Sequence, residues 1–359
     1  MGSEPRTGAL DGLRGLAALS VVAFHVWLYR PERVPGTRTA LGDQIFFELH
    51  LGLICFFVLS GFLLYRGLLR RPDLRRYAVR RIARIVPAYY VSIAGCLLLY
   101  TALDMDELIP PTDSLPFFLA FGQNYSGETL MQINPVTWTL CVEAAFYVAL
   151  PLIALVRSSS RRVTLLLALI GATLAWNAVA HGSGWADVGE KTLPAYAGHF
   201  ALGMLVALWV ESRRERLAAG ATGLLTAAGA LVVVASGWWY ETPALMPDAR
   251  AIVLKLPAAL GFALLVAALA AGRGPAVRGL SARPIVWAGV VSYGVYLWHL
   301  PLIIIGNELA LLPEAVAPRL ALVGGAALAA GWASWILVER PALARVSRTR
   351  ARPAPAASQ

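Results

Sequence analysis

Residues 9–29 read ALDGLRGLAALSVVAFHVWLY, and this stretch indicates what kind of protein the chain is. It is mostly apolar over the length of ~20 residues that one helix needs to cross ~30 Å of hydrocarbon. Its ionisable side chains nevertheless include Arg14 and His25. The stretch therefore predicts a membrane-spanning helix that carries functional polar groups.

Similar apolar runs recur along the whole chain. Fifty-eight per cent of the 359 residues are apolar and 14 per cent are charged, whereas soluble domains carry about a quarter charged residues. Because helices satisfy their backbone polar groups within each segment, we expect an all-α polytopic membrane protein. About ten transmembrane helices in one bundle are predicted, at roughly 9–29, 45–65, 85–103, 136–156, 163–180, 193–210, 217–236, 252–271, 285–305 and 319–338. This composition excludes a disordered chain, a nucleic-acid-binding domain and an ordinary cytosolic enzyme.

The basic residues predict the orientation. Ten spans place both termini on one side, which receives 23 of the 31 Lys and Arg residues, against seven on the other side. The positive-inside rule then makes both termini cytoplasmic. Residues 1–341 are expected to form the membrane domain, and the basic Pro/Ala-rich tail 342–359 to be cytoplasmic and disordered. The excess of Arg over Lys favours a bacterial source, and hence the bacterial cytoplasmic membrane.

Ionisable groups inside spans cost about 2.5 kcal/mol or more near mid-bilayer, so each needs a reason. Arg14 and His25 are eleven residues apart, which places them on one helix face and ~16 Å apart in depth. Glu143 and His299 are predicted to share the outer level of His25. Such a set acts as a general base with an orienting partner, or alternatively as a structural polar cluster that joins helices.

Arginines mark the inner side of the third span. Arg80, Arg81 and Arg84 stand at its start, in a loop with eight Arg residues at 66–84. Guanidinium groups bind phosphate oxygens bidentately, so this segment is typical of a polyphosphate site. The alternative is a purely topological role for these charges.

Other polar residues favour structural roles. Ser60 and Gly61 in FFVLSGFLL indicate close helix packing in preference to catalysis. Glu339 is placed to neutralise an inner arginine, and Pro341 predicts the end of the last helix. The outer histidines His50 and His199 are expected to be solvated or interfacial.

The sequence contains no motif typical of metal binding or redox chemistry. Cys55, Cys96 and Cys141 all fall in apolar runs without metal-ligand spacing, and are interpreted as small buried hydrophobic residues. Walker A, Rossmann, HExxH, CxxC and GxSxG patterns are absent, so neither a metal site nor a serine mechanism of the soluble-hydrolase type is supported.

Six segments together resemble the membrane acyltransferase-three family. They are LDGLRGLAALSVVAFH, FFVLSGFLL, RRIARIVPAYY, TWTLCVEAAFY, SYGVYLWHLPL and VERP. They occur in the family's order and with compatible spacing over most of the chain. The resemblance implies transfer of an acyl group, often acetyl, from cytoplasmic acyl-CoA to hydroxyls of sugars, glycolipids, envelope polymers or macrolides. The bare ten-span body is similar to the stand-alone members, which include macrolide O-acyltransferases.

The resemblance also implies roles for particular residues. His25 and Arg14 would be the essential pair, and Glu143 would be functional together with the three arginines at 80, 81 and 84. Two positions depart from the family pattern, since Val136 replaces a frequent His and Ala144 a frequent second Glu. The departures weaken any inference about contacts to the acceptor.

These observations predict an acyl-CoA-dependent O-acyltransferase that uses acetyl-CoA or another short acyl-CoA as co-substrate and no metal. His25 acts as the general base, with an acyl-histidine intermediate as a variant mechanism. His299, Trp138 and Ser60 are candidates for contacting the acceptor or supporting the base. A transporter or flippase for a glycan or lipid-linked compound is the alternative, because intramembrane His and Glu also couple protons. A non-catalytic scaffold is the third function considered, and the acceptor and oligomeric state stay open.

Overall fold

The computed structural model describes residues 8–31, 41–241, 247–253 and 255–348. Over these residues the chain is helical and contains no strand. Ten long helices are labelled in chain order as α1 (Gly8–Leu28), α2 (Gly52–Arg70), α3 (Leu74–Ala102), α4 (Trp138–Ala154), α5 (Ser159–Ser183), α6 (Leu193–Ser212), α7 (Ala219–Glu241), α8 (Leu256–Ala271), α9 (Arg283–Glu308) and α10 (Val316–Ser334). Shorter helices are Leu41–Glu48, Leu115–Leu119, Ala186–Gly189, Pro247–Val253, Pro275–Leu280 and Arg340–Arg348.

The predicted all-α membrane architecture is confirmed. Nine helical segments of the described residues are long and apolar enough to cross a membrane, and α8 is a shorter apolar helix of 16 residues. The predicted span 252–271 is therefore too long at its start, because Lys255 adopts a left-handed backbone with φ 62° immediately before α8. Helices α7 and α8 run antiparallel, since Gly229 lies against Gly261 while Thr222 lies against Gly272. The cytoplasmic position of both termini stays a prediction.

Glycines let the central helices approach closely. A Cβ atom on Gly61 of α2 would lie 2.2 Å from the carbonyl oxygen of Phe200 in α6. A Cβ atom on Gly289 of α9 would lie 1.8 Å from the carbonyl oxygen of Asp11 in α1. Larger residues have no room at either crossing, so the packing role predicted for the Ser60–Gly61 segment is confirmed at Gly61. The second crossing brings the helix that carries His25 against α9.

The last helix continues past Pro341, contrary to expectation. A π-helical turn, Trp335–Glu339, follows α10 and leads directly into Arg340–Arg348. In a regular α-helix the proline ring clashes with the carbonyl four residues earlier, and the wider turn relieves that clash. The first residues of the expected disordered tail, 342–348, are consequently helical. The rest of the tail, 349–359, lies outside the described residues.

The segment between α3 and α4 is hydrogen-bonded to both α3 and α9. The hydroxyl of Tyr89 donates to the carbonyl oxygen of Phe118 at 2.9 Å, and Phe118 is buried. The side-chain amide of Asn134 donates to the carbonyl oxygen of Leu297 at 2.8 Å. The first bond ties the segment to α3, and the second ties the residues just before α4 to the middle of α9, two residues from His299.

Candidate active site

His25 lies on the last turn of α1 and pairs with His299 of α9. Nδ1 of His25 is 3.1 Å from Nε2 of His299, and the ring centroids are 5.0 Å apart. His299 is fully buried, whereas His25 is half-buried. The structure thus brings together the two histidines that the sequence places at one level.

Hydrogen bonds assign the protons of this pair. Nδ1 of His25 lies 2.9 Å from the carbonyl oxygen of Val21, and Nδ1 of His299 lies 3.2 Å from that of Val295. Because a carbonyl only accepts, the assignment consistent with these contacts places the proton on Nδ1 of each neutral ring. The single Nδ1–H of His25 is then shared between the carbonyl oxygen of Val21 and Nε2 of His299. Nε2 of His25 is then unprotonated and bonds no described residue. It is the nitrogen of the pair that is available to accept a substrate proton.

A cavity of about 270 Å³ adjoins His25 at the end of the bundle where α1 ends. Its apolar and aromatic lining includes Phe24, Leu28, Phe47, Leu53, Met131, Trp138 and Leu300, and its polar lining is His25, Tyr29, His50, Lys255 and Tyr296. Apolar walls with a few convergent polar groups are typical of small-molecule sites. Trp138, a predicted acceptor contact, therefore shares a cavity with the candidate base.

The two outer histidines differ in environment. His50 is half-buried in the cavity wall, with its ring centroid 4.7 Å from that of Phe47. His199 is fully buried in α6, with its ring 5.0 Å from that of Tyr196. The solvated role expected for His199 is therefore wrong, because its helix face packs into the bundle.

Glu143 does not join the two histidines, and that expectation is wrong. Its carboxylate accepts from the hydroxyl of Ser60 at 2.6 Å and from that of Tyr147 at 2.9 Å. Arg14 and Arg81 lie within electrostatic range of the carboxylate. The reason is depth: α4 starts at the cavity with Trp138, and five residues further along a helix lie ~7.5 Å deeper in the bundle.

Two residues hydrogen-bond to Glu143: Ser60, which the sequence gives as a packing residue and as a candidate contact to the acceptor or the base, and Tyr147, which the sequence does not single out. Ser60 holds one carboxylate oxygen, and Tyr147 holds the other. Tyr147 follows Glu143 by four residues, which puts both side chains on one helix face. That spacing was the available signal for Tyr147.

Three arginines lie near Glu143, at the end of α1 opposite His25. Nη1 of Arg14 is 3.6 Å from Oδ1 of Asp11, and Nη1 of Arg84 is 2.7 Å from Oε2 of Glu339. Arg81 lies within electrostatic range of both Arg14 and Arg84. The prediction that Glu339 neutralises an inner arginine is confirmed. The guanidinium groups of these three arginines thus lie near three carboxylates, which belong to Asp11, Glu143 and Glu339.

The arginines of the predicted phosphate segment have different surroundings. Arg80 is exposed and Arg81 is half-buried. Arg84 is held by its ion pair and by the ring of Trp335, whose centroid lies 5.2 Å from the guanidinium carbon. The ion pair accounts for Arg84 without any ligand. Among the described residues, no group of three or more His, Cys, Asp or Glu side chains is arranged to hold a metal ion.

Comparison with known proteins identifies the chain's relatives. The family model of an acyltransferase domain matches residues 7–338. The chain belongs to this acyltransferase family. Its membrane-spanning helices and this membership together make the protein an integral-membrane acyltransferase, and the resemblance noted in the sequence is confirmed.

Relatives of this acyltransferase come from several organisms. It is 28% identical over 349 residues to "Putative membrane-bound transacylase BcsY" of Komagataeibacter xylinus, covering 93% of this chain and 82% of that protein. It is 28% identical over 357 residues to nodulation protein 10 of Rhizobium leguminosarum bv. viciae, covering 93% and 92%. Identity to the peptidoglycan O-acetyltransferase OatA of Listeria monocytogenes is 24% over 337 residues, 82% of this chain and 49% of that protein. No solved structure matches the chain.

Proposed function

We propose that this acyltransferase moves an acetyl or other short acyl group from acyl-CoA to a hydroxyl. The acceptor class is a sugar, a glycosylated natural product such as a macrolide, or a cell-envelope glycan. The observation that carries the proposal is the contact between His25 and His299 beside a cavity, in which Nε2 of His25 bonds no described residue. The relative named as a peptidoglycan O-acetyltransferase supports a hydroxyl acceptor.

The histidine pair supplies the proton transfer. Nε2 of His25 takes the proton of the acceptor hydroxyl while that oxygen attacks the thioester carbonyl. The tetrahedral intermediate then collapses, the carbon–sulfur bond breaks, and the leaving sulfur takes the same proton from His25. Nε2 of His299 lies 3.1 Å from Nδ1 of His25; in this proposal it accepts the Nδ1–H bond, keeps the ring oriented and stabilises the transient imidazolium.

The donor reaches this pair from the opposite end of the bundle. In this proposal Arg80 and Arg81 contact the CoA phosphates, because guanidinium forks match phosphate oxygens. Arg84, bound to Glu339, holds the wall beside them. Arg14 and His25 are eleven residues apart on α1, so the pantetheine arm has ~16 Å to cover from the arginine level to the base. The arginine end is cytoplasmic and the membrane is the bacterial cytoplasmic membrane.

Release of free CoA thiol by purified protein in detergent tests the proposal. Acetyl-CoA is offered with a panel of glycan and macrolide acceptors, and products are read by their acyl mass increment. We expect His25→Ala to lower turnover by ~10²-fold or more, since general-base catalysis contributes that much. His181→Ala is the control, because His181 is exposed and pairs with Asp248. Equal turnover in both variants contradicts the mechanism, and activity that requires sealed vesicles identifies a transporter instead.

A further inference from the structure

Arg319 of α10 is a buried cation that the mechanism above does not use. Only 1% of the residue is exposed. No carboxylate among the described residues pairs with it, and the charge in range of it is another cation, Arg30. A buried charge without a countercharge is costly to keep. From sequence it counts only as one of the few basic residues on the outer side, so its burial needs another explanation.

The hydrogen bonds of Arg319 converge on the end of α1. Nη2 donates to the carbonyl oxygen of Tyr29 at 3.1 Å and also to the side-chain oxygen of Asn307. Nη1 donates to the carbonyl oxygen of Pro313 at 3.3 Å. The amide of Asn307 donates to the same Tyr29 carbonyl at 2.9 Å. Two side chains from α9 and α10 therefore hold one carbonyl group.

That carbonyl follows directly on the turn that carries the candidate base. Helix α1 ends at Leu28, and the backbone N–H of Tyr29 donates to the carbonyl oxygen of His25 at 3.0 Å. The last carbonyls of a helix lack partners within it and form the negative end of its dipole. A guanidinium group at this point satisfies the carbonyl and the dipole together. Because the backbone N–H of Tyr29 bonds to His25, holding the Tyr29 carbonyl restrains the depth of His25 in the bundle and its rotation about the axis of α1.

We propose that Arg319 and Asn307 form a clamp that positions His25 against His299 and the cavity. The proposal rests on the proposed function for the role of His25, while the clamp itself is a statement about geometry. Without the clamp, the last turn of α1 loses its bonds to α9 and α10, and the 3.1 Å contact between the two imidazoles is lost. Neither residue touches the reacting atoms, so both are positioning residues.

Kinetics of four variants test the clamp. We expect Arg319→Met and Asn307→Leu to lower kcat by about tenfold, since small misplacements of catalytic groups cost that much or more. KM for acyl-CoA stays as in the wild type, because the donor binds at the other end of α1. Arg319→Lys retains a donor for the Tyr29 carbonyl and restores most of kcat. Arg213→Met is the control, because Arg213 is exposed directly after α6 and its guanidinium carbon lies 4.8 Å from the ring centroid of Trp209.

Reactivity of His25 provides a readout that needs no turnover. Diethyl pyrocarbonate modifies neutral imidazole, and mass spectrometry gives the rate at His25 relative to exposed His181 in the same sample. We expect the two clamp variants to change this ratio by roughly threefold or more, because displacement of the His25 side chain alters its exposure, and Arg213→Met to leave it unchanged. If kcat and the ratio both stay at wild-type values in folded Arg319→Met or Asn307→Leu protein, the clamp is refuted. Since the ratio is measured without acyl-CoA, a wild type that fails to transfer acyl groups overturns the proposed function and not the clamp.

Discussion

The ion pair between Arg84 and Glu339 yields the sharpest prediction, because the sequence alone assigns Arg84 to CoA phosphate. The perturbation is Glu339→Gln, which removes the negative charge and keeps the shape of the side chain. Glu339 is fully buried and its Oε2 lies 2.7 Å from Nη1 of Arg84, whose side chain is 15% exposed. The hydroxyl of Ser334 donates to the other carboxylate oxygen at 3.2 Å.

The expected loss of unfolding free energy follows from the charge of Arg84, which Glu339→Gln leaves unpaired. Removing one partner of a buried ion pair leaves an uncompensated charge, which costs about 3 kcal/mol of unfolding free energy. Removing both charges in Arg84→Met with Glu339→Gln is far milder, because a buried pair and an apolar replacement are of similar stability. We therefore expect the double variant to unfold within about 1 kcal/mol of the wild type.

Two measurements decide between structure and cofactor binding. Denaturant unfolding in mild detergent gives the stabilities, and initial rates of thiol release give KM for acyl-CoA. We expect the double variant to keep the wild-type KM, and Arg81→Met to raise it. A double variant as unstable as Glu339→Gln would show that the two charges are not coupled. Regained stability with a KM as high as that of Arg81→Met would instead place Arg84 on the phosphates.

Three further predictions concern the site and the topology. Glu143→Gln keeps the side-chain shape but removes the charge near the inner arginines, so we expect turnover to fall about tenfold or more, and wild-type turnover would exclude a role for that charge. His299→Ala removes the acceptor for Nδ1–H of His25 and should lower kcat by roughly 10²-fold without raising KM for acyl-CoA; a higher KM would move His299 to the donor site. For topology, we expect Ser183→Cys to react with an impermeant maleimide in intact cells and Ser160→Cys to react only after permeabilisation. The native cysteines are buried and should not react. The reverse labelling pattern would contradict the cytoplasmic position of both termini.

Depth in the membrane was the quantity that sequence reasoning estimated least well. It placed Glu143 with His25, although the start of α4 at Trp138 puts the carboxylate about one and a half turns below the cavity. It also extended the eighth span through Lys255, where a left-handed residue interrupts the helix. Hydropathy reports that a run is apolar over a given length, but not at which residue the helix begins.

Contacts between distant segments were missed for a different reason. Asn307 and Arg319 belong to two helices and meet on a backbone carbonyl of a third, which no side-chain pattern reveals. The ion pair of Glu339 was foreseen in kind, but its partner Arg84 was not distinguished from Arg80 and Arg81. Neighbouring residues on one helix point in different directions around its axis, and so they meet different partners.

The sequence by itself determined that the chain is a helical membrane protein, which ionisable groups it carries inside its spans, and which family it resembles. Those properties are local, because the transfer of each apolar run into hydrocarbon depends on its own composition and length. Only the tertiary structure decided that His25 meets His299, that Glu143 meets Ser60 and Tyr147, and that Arg319 holds the end of α1. Such meetings depend on the depth, rotation and closest approach of packed helices, which glycine crossings and long-range hydrogen bonds set jointly across the bundle.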